Sequence, residues 1–101
     1  MMATTPEGKV KAQVRKYLDE IGAWHFAPVS NGMGQQVIPD ILVCHQGRFI
    51  GIECKAPAKR RNTSALQDRQ IMAIHKAGGA ALVVDDVAQV KEVFRELVDT
   101  P

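Results

Sequence analysis

Two acidic residues and a lysine lie in runs of sequence that are otherwise largely apolar and typical of β-strands. Asp40 is the single acid in the run 38–45, and Glu53 and Lys55 lie two positions apart in the run 48–55. If the two residues between these runs form a tight turn, the runs pair as an antiparallel hairpin with Asp40 directly opposite Glu53. Strand alternation places Lys55 on the same face as Glu53. The three side chains are therefore expected to lie together.

This grouping has a chemical use. Two carboxylates so placed repel each other, and burial removes water from both charges, which makes the repulsion worse. A divalent cation between them relieves it, since Mg²⁺ binds carboxylate and water oxygens and keeps coordination positions for phosphate. A lysine beside them can orient an attacking water or stabilise charge that develops on a phosphate. The pattern indicates metal-assisted hydrolysis of phosphodiesters.

The same residues have a purely structural interpretation. Asp40, which follows a proline, would then only begin an edge strand, and Glu53 and Lys55 would form an exposed polar face. The apolar neighbours of both acids argue for function, because an acid embedded in an apolar strand is costly unless it is used.

The hydrophobic pattern predicts the order α-β-β-β-α-β-α. Thr5 and Pro6 begin the first helix and Gly22 ends it. The second helix begins near Thr63 and Ser64 and ends at 78–79. Asp85 and Asp86 cap the third helix. The strands are expected at 23–29, 38–45, 48–55 and 80–84. A hairpin followed by a strand-helix-strand crossover predicts an α/β fold with a mixed sheet flanked by helices.

Length and composition limit the remaining possibilities. A chain of 101 residues has room for one domain, predicted to span 1–101, and its 46% hydrophobic content favours a globular fold. There is no apolar run long enough to span a bilayer and no signal peptide, so an intracellular, cytoplasmic location without membrane contact is expected. The formal net charge of +2 permits a nucleic-acid partner. Cys44 and Cys54 are expected to be buried, reduced thiols.

The motifs resemble those of the PD-(D/E)XK nuclease superfamily, whose restriction-endonuclease-like core is an αβββαβ unit. Within it, the chain is most similar to the VRR-NUC (virus-type replication-repair nuclease) domain, particularly the stand-alone phage form. Four pieces carry the resemblance, and together they span most of the chain. They are Glu7, the Ile-Pro-Asp-Ile of 38–41, the Ile-Glu-Cys-Lys of 52–55 and the Thr-Ser-Ala-Leu-Gln of 63–67.

The resemblance implies roles for five residues. Asp40 and Glu53 would bind Mg²⁺ or Mn²⁺ together with the backbone carbonyl of Cys54, and Lys55 would be the catalytic lysine. Glu7 would be an auxiliary acid that contacts the metal through water. As an alternative, Glu7 only stabilises the first turn of a helix, where acids are favoured.

Gln67 would support Lys55 or the attacking water from the second helix. Ser64 and Gln67 also have the spacing of a capping box, so Gln67 has a structural alternative as well.

Basic residues follow the proposed site directly. Lys59, Arg60 and Arg61 are expected to contact DNA phosphates, which positions DNA without reading its sequence. Ser30 and Asn31, in the glycine-containing stretch 30–36, are expected to form the opposite wall of a DNA cleft.

The predicted function is a metal-dependent DNA endonuclease that prefers branched or junction DNA. A homodimer is expected by analogy with stand-alone relatives, because two metal sites would then face two strands. Two alternatives remain: a Holliday-junction resolvase of the archaeal type, and a non-catalytic DNA-binding module on the same fold.

Overall fold

Three helices and four strands follow one another in the predicted order. The computed structural model describes residues 5–29 and 37–99. The helices are α1 (Pro6–Glu20), α2 (Ala65–Lys76) and α3 (Val87–Asp99). The strands are β1 (Trp24–Phe26), β2 (Ile41–His45), β3 (Arg48–Cys54) and β4 (Ala80–Val84). Within this part of the chain, no helix combines the length and the apolar character needed to cross a bilayer.

The strands form one mixed sheet in the order β1-β2-β3-β4. β1, β2 and β3 pair antiparallel, whereas β3 and β4 are parallel and are joined through α2. The turn between β2 and β3 has positive φ at both central residues, +52° at Gln46 and +78° at Gly47. Two such residues make the type I′ turn that fits the twist of a hairpin. The predicted α/β architecture with a mixed sheet is confirmed.

The register of the hairpin is the predicted one. Val43 pairs with Ile50, and Ile41 pairs with Ile52 at the end of the ladder. Continuing this register by one residue puts Asp40 opposite Glu53. Asp40 itself lies just before β2, since Pro39 ends the ladder by lacking an N–H group.

The two faces of the sheet are covered unequally. On one face, side chains of β2, β3 and β4 form a buried core with α1 and α3. Its largest fully buried members are Phe94, Leu18, Ile41, Ile50 and Ile52. The opposite face carries α2 over β4, but none of the α2 side chains is fully buried. Over β1 and β2, residues 5–29 and 37–99 leave this second face largely bare.

That unequal cover corrects one prediction. Cys54 is buried as expected, but Cys44 is exposed. Cys44 alternates onto the same face as α2 but lies beyond the part that α2 covers, and it pairs there with Trp24 of the edge strand. Helix coverage of a face depends on tertiary packing, which an apolar run alone does not encode.

Strand lengths also differ from the predictions. β1 occupies 24–26 rather than 23–29, and β2 begins at Ile41 rather than at Ile38. The helix ends agree more closely. Thr5 caps α1 by accepting the N–H of Gly8 at 2.9 Å, and Ser64 caps α2.

Candidate active site

Asp40 is fixed by the backbone of the neighbouring strand. Its Oδ2 accepts the N–H of Cys54 at 2.9 Å. The β2–β3 ladder ends at Ile41 and Ile52, so this N–H is bonded by a side chain rather than by a further ladder residue. The carboxylate is thereby held at the end of the β2–β3 pair, beside Glu53.

Neighbouring groups shift the pKa of Glu53 in opposite directions. Its side chain is only 12% exposed. Burial, followed by the negative charge of Asp40, raises the pKa of Glu53 to about 7. The positive charge of Lys55, whose Nζ lies 4.0 Å from Oε2, and a hydrogen bond from the Asp40 backbone act in the opposite direction. The predicted meeting of two acids and one lysine is therefore present in the structure.

Gln67 ties the lysine to the acid. Its Oε1 accepts hydrogen bonds from Lys55 Nζ and from the Ser64 backbone N–H, both at 3.0 Å. Its Nε2 donates to Glu53 Oε2 at 2.5 Å. Since Oε1 already faces two donors, the amide can take only one orientation, with the NH₂ group toward the carboxylate.

The Gln67 side chain both takes part in the capping box and contacts Lys55. The Ser64 hydroxyl accepts the N–H of Gln67 at 3.1 Å, which completes the capping box. The start of α2 is thus built from the same amide that contacts Lys55 and Glu53. Because Gln67 closes the first turn of α2, the helix start holds the amide in place.

The side chain and the backbone of Cys54 have different surroundings. Its thiol lies in the core, where burial, followed by the charges of Asp40 and Glu53, raises its pKa to about 12. The thiol is therefore protonated and unreactive at neutral pH. Its backbone N–H points to Asp40, whereas the next residue, Lys55, donates its N–H to Val84 at 2.8 Å. Since N–H and C=O of one strand residue point to the same side, the carbonyl of Cys54 also faces Asp40.

Glu7 lies in the first turn of α1 with an exposed side chain. Its negative charge contributes to raising the pKa of Glu53, although it is the smallest of the contributions. The structure therefore brings Glu7 near the two strand acids without a direct contact. This position is compatible with the predicted auxiliary role.

The donor set fits a hard divalent cation. Within residues 5–29 and 37–99, no three Asp, Glu, His or Cys side chains converge as a metal-binding group. Two carboxylates and one carbonyl oxygen are nevertheless the ligand types that Mg²⁺ prefers, and such sites usually keep several positions for water and phosphate oxygens. The acid pair explains why a cation would be favoured, because a cation offsets the negative charge of Asp40, which after burial is the largest cause of the raised pKa of Glu53.

The basic loop 56–62 is an ordered structure beside this site. Two successive turns are closed by Lys59 N–H to Ala56 and Asn62 N–H to Lys59, both at 2.9 Å. Asp85 Oδ2 accepts the Ala58 N–H at 3.1 Å and so anchors the loop to the end of β4. The sequence had assigned Asp85 only to a helix cap, and no local signal indicated this contact across 27 positions.

The three cations of the loop are not equivalent. Arg60 donates its Nε to the carbonyl of Val83 at 2.9 Å, which fixes its stem. All three residues are exposed. Arg60 and Arg61 also line an open cleft of about 550 Å³ with Thr63 and Asp68. Ser30 and Asn31 lie outside the described residues, so their predicted place in a DNA cleft stays a prediction.

Comparison with solved structures shows what the fold is similar to. It is similar to a solved VRR_NUC domain, with a TM-score of 0.69, 25% sequence identity, and coverage of 91% of this chain and 97% of that chain. The chain has the fold of a VRR-NUC domain. The likeness supports the PD-(D/E)XK superfamily, which its motifs predicted, and suggests a nuclease domain. No protein-family model matches the sequence, and no curated protein matches it.

The raised pKa of Glu53 makes the stability of this domain depend on pH. Glu53 has a pKa of about 7 in the folded chain against 4.5 as a free side chain, so the folded state holds this proton more tightly than the unfolded state. Without metal, the contribution of Glu53 to the free energy of unfolding falls as pH rises from about 4.5 to above 7.

Glu53→Gln removes the charge and keeps the shape. We expect it to increase the free energy of unfolding at pH 8 by roughly 1–3 kcal/mol, because a buried, repelled charge is lost. Near pH 4 the gain should vanish, since Glu53 is then protonated. Urea denaturation in EDTA at both pH values measures this, with Glu92→Gln on the exposed side of α3 as control. An equal gain at both pH values would contradict the assigned cause.

Proposed function

We propose that this domain is a metal-dependent endonuclease that hydrolyses DNA phosphodiesters with Mg²⁺ or Mn²⁺. The observation that carries the proposal is the partly buried pair Asp40 and Glu53, with Lys55 beside it on one face. Burial, followed by the negative charge of Asp40, raises the pKa of Glu53 to about 7, so keeping this carboxylate charged costs stability. Function is the reason to keep it.

Asp40, Glu53 and the carbonyl of Cys54 are the groups that would hold the cation, with Glu7 acting through water. When bound, the cation supplies Lewis-acid stabilisation of the phosphate and a more acidic water. The two carboxylates bring the phosphate-binding positions to the end of β3, where the basic loop begins. The chain's own contribution is to fix these oxygen atoms and to limit water around them.

Lys55 is proposed as the catalytic lysine. Its ammonium lies 4.0 Å from Glu53 and 3.0 Å from Gln67 Oε1, so it is held at the edge of the acid pair. From there it can donate a hydrogen bond to the attacking water or to a phosphate oxygen as negative charge develops. Gln67 is proposed to position Lys55, since it accepts one of the ammonium's three possible hydrogen bonds and leaves two for the substrate.

A non-catalytic DNA-binding module is the alternative from another functional class. The simultaneous presence of Asp40, Glu53, Lys55 and the oriented Gln67 favours the enzyme, because a binding module has no need for two repelling carboxylates. An archaeal-type Holliday-junction resolvase is a second enzymatic alternative, which differs from the first only in its preferred DNA.

Alanine in place of Asp40, Glu53 or Lys55 should abolish most of the cleavage. Loss of a group that acts on the developing charge or on proton transfer lowers rates by about 100-fold or more. Initial rates on linear, flapped and four-way DNA, with Mg²⁺, with Mn²⁺ and with EDTA, measure this. Preference for four-way DNA would favour the resolvase.

The control is Lys76→Ala, which removes an exposed lysine at the end of α2. Circular dichroism verifies that each variant is folded. Cleavage that persists in all three site variants would place the activity elsewhere, and binding without cleavage under every condition would favour the non-catalytic module.

Lys59, Arg60 and Arg61 are proposed to bind DNA phosphates beside the site. Lys59→Ala and Arg61→Ala should each weaken binding of any sequence and reduce the slope of log K against log salt by about 0.9. The matched control is Arg95→Ala, on the exposed side of α3. Anisotropy titrations at several salt concentrations measure the slopes, and unchanged slopes would remove the loop from the interface.

A homodimer acting on branched DNA completes the proposal, by analogy with stand-alone relatives. One domain of 11.1 kDa covers little DNA, and two copies would present two sites to two strands. Sedimentation equilibrium should then give twice the chain mass. A monomer at all concentrations, with and without DNA, would exclude this part.

A further inference from the structure

Aromatic side chains occupy the bare face of the sheet, on the same side as the acids. Trp24 and Phe26 of β1 alternate onto this face, as does Phe49 of β3. We call the surface formed by Trp24, Phe26 and Phe49 the aromatic face. Strand register orders it into rows, because Trp24 pairs with Cys44 and Cys44 pairs with Phe49.

The rows lead toward the active site. Phe26 lies in the next row, with Leu42 and Gly51, and the row after that is the position of Asp40 and Glu53. Alternate residues of a strand are roughly 7 Å apart, so the Phe26 row lies about 7 Å and the Trp24 row about 13 Å from the acids along the strands. Pro39 and Ile74 pack over Gly51, so the part of the path that the described residues leave open runs over β1 and β2.

The three rings are well exposed. Trp24 is 61% exposed, Phe26 51% and Phe49 44%. Together they offer roughly 300–350 Å² of surface, taking 150–250 Å² for a whole aromatic side chain. A stable protein–protein interface needs about 800 Å² from each partner, so the rings alone are too small a surface for a dimer. Their area and flat shape suit one or two nucleobases.

We propose that the aromatic face stacks unpaired DNA bases next to the scissile phosphate, so that the preferred substrate carries a single-stranded segment beside the cut. This inference rests on the proposed nuclease function, which places a phosphate at Asp40 and Glu53. Every base has a π-face, so stacking on Trp24 and Phe26 tolerates any sequence. Paired bases inside a duplex present only their edges and cannot lie flat on these rings.

The distance between the acids and the aromatic rings agrees with base stacking beside the reacting phosphate. A strand advances about 3.4 Å per nucleotide in a duplex and further when it is unstacked, so 13 Å corresponds to at most about four nucleotides. The bases bound at Phe26 and Trp24 therefore belong to the few nucleotides beside the reacting phosphate. The basic loop at the end of β3 would hold the backbone on the other side of that phosphate.

Trp24 is the only tryptophan of the chain, so its fluorescence reports directly on this surface. The wild-type protein in EDTA, which prevents cleavage, is titrated with a twelve-residue oligothymidylate and with a blunt hairpin duplex. We expect strong quenching by the single strand and little by the duplex. Quenching by neither, or equally by both, would overturn the proposal.

Variants test the contribution of each ring. Trp24→Ala and Phe26→Ala should each weaken binding of labelled oligothymidylate about tenfold, the effect expected for one lost base stack. Trp24→Phe should retain most of the affinity, which separates ring stacking from a structural effect. Met72→Ala, an exposed apolar side chain of α2, is the matched control and should change nothing.

Two further results separate this inference from the alternatives. If Trp24→Ala and Phe26→Ala abolish self-association in sedimentation while oligothymidylate binding is unchanged, the face belongs to a second copy of the chain and the proposal is overturned. If no DNA is cleaved with any metal, yet the single strand still quenches Trp24 and the ring variants still lose affinity, base stacking stands and the nuclease function fails.

Discussion

The fold holds two negative charges together across neighbouring strands, and much of the structure around them offsets that repulsion. Asp40 and Glu53 meet at the end of the β2–β3 pair, where burial and their mutual repulsion raise the pKa of Glu53 to about 7. The Cys54 N–H stabilises one carboxylate, and the Gln67 amide and the Lys55 ammonium stabilise the other. Each of these groups is held by a strand or a helix end.

This arrangement explains why so small a domain has a precise site. The type I′ turn fixes the hairpin register, and the register decides which acid faces which. The parallel pairing of β3 with β4 places α2 over the same face, and the capping box at its start orients the Gln67 amide. A change in register by one residue would move Glu53 and Lys55 to the core face. Local turn chemistry therefore determines the geometry of the candidate site.

Much of this could be predicted from sequence because the signals are local. The hairpin partners follow from two strand-like runs and a two-residue turn, and the caps at Thr5 and Ser64 follow from residue type and spacing. The double role of Gln67 could not be decided, because capping and contact with Lys55 appeared as alternatives until the geometry showed them to be compatible. Cys44 was assigned wrongly because the alternating pattern does not tell which sheet face a helix covers.

Contacts between residues far apart in the chain also could not be predicted from the sequence. Asp85 anchors the basic loop through a hydrogen bond to Ala58, and the Trp24 row faces the acids only through pairing of three strands. Neither the Asp85–Ala58 hydrogen bond nor the strand pairing of Trp24 can be recognised from a short stretch of sequence. The aromatic residues read as ordinary strand formers until the register placed them on the acid side.

The central claim is that Asp40 and Glu53 share one cation, and calorimetric titration of Mn²⁺ at pH 6.5 tests it most directly. Glu53 is largely protonated at that pH and must lose its proton when a cation binds. The binding heat measured in two buffers of different ionisation enthalpy should therefore reveal proton release, and Asp40→Asn should abolish binding. Mn²⁺ binding without proton release, or binding that Asp40→Asn leaves unchanged, would contradict the account.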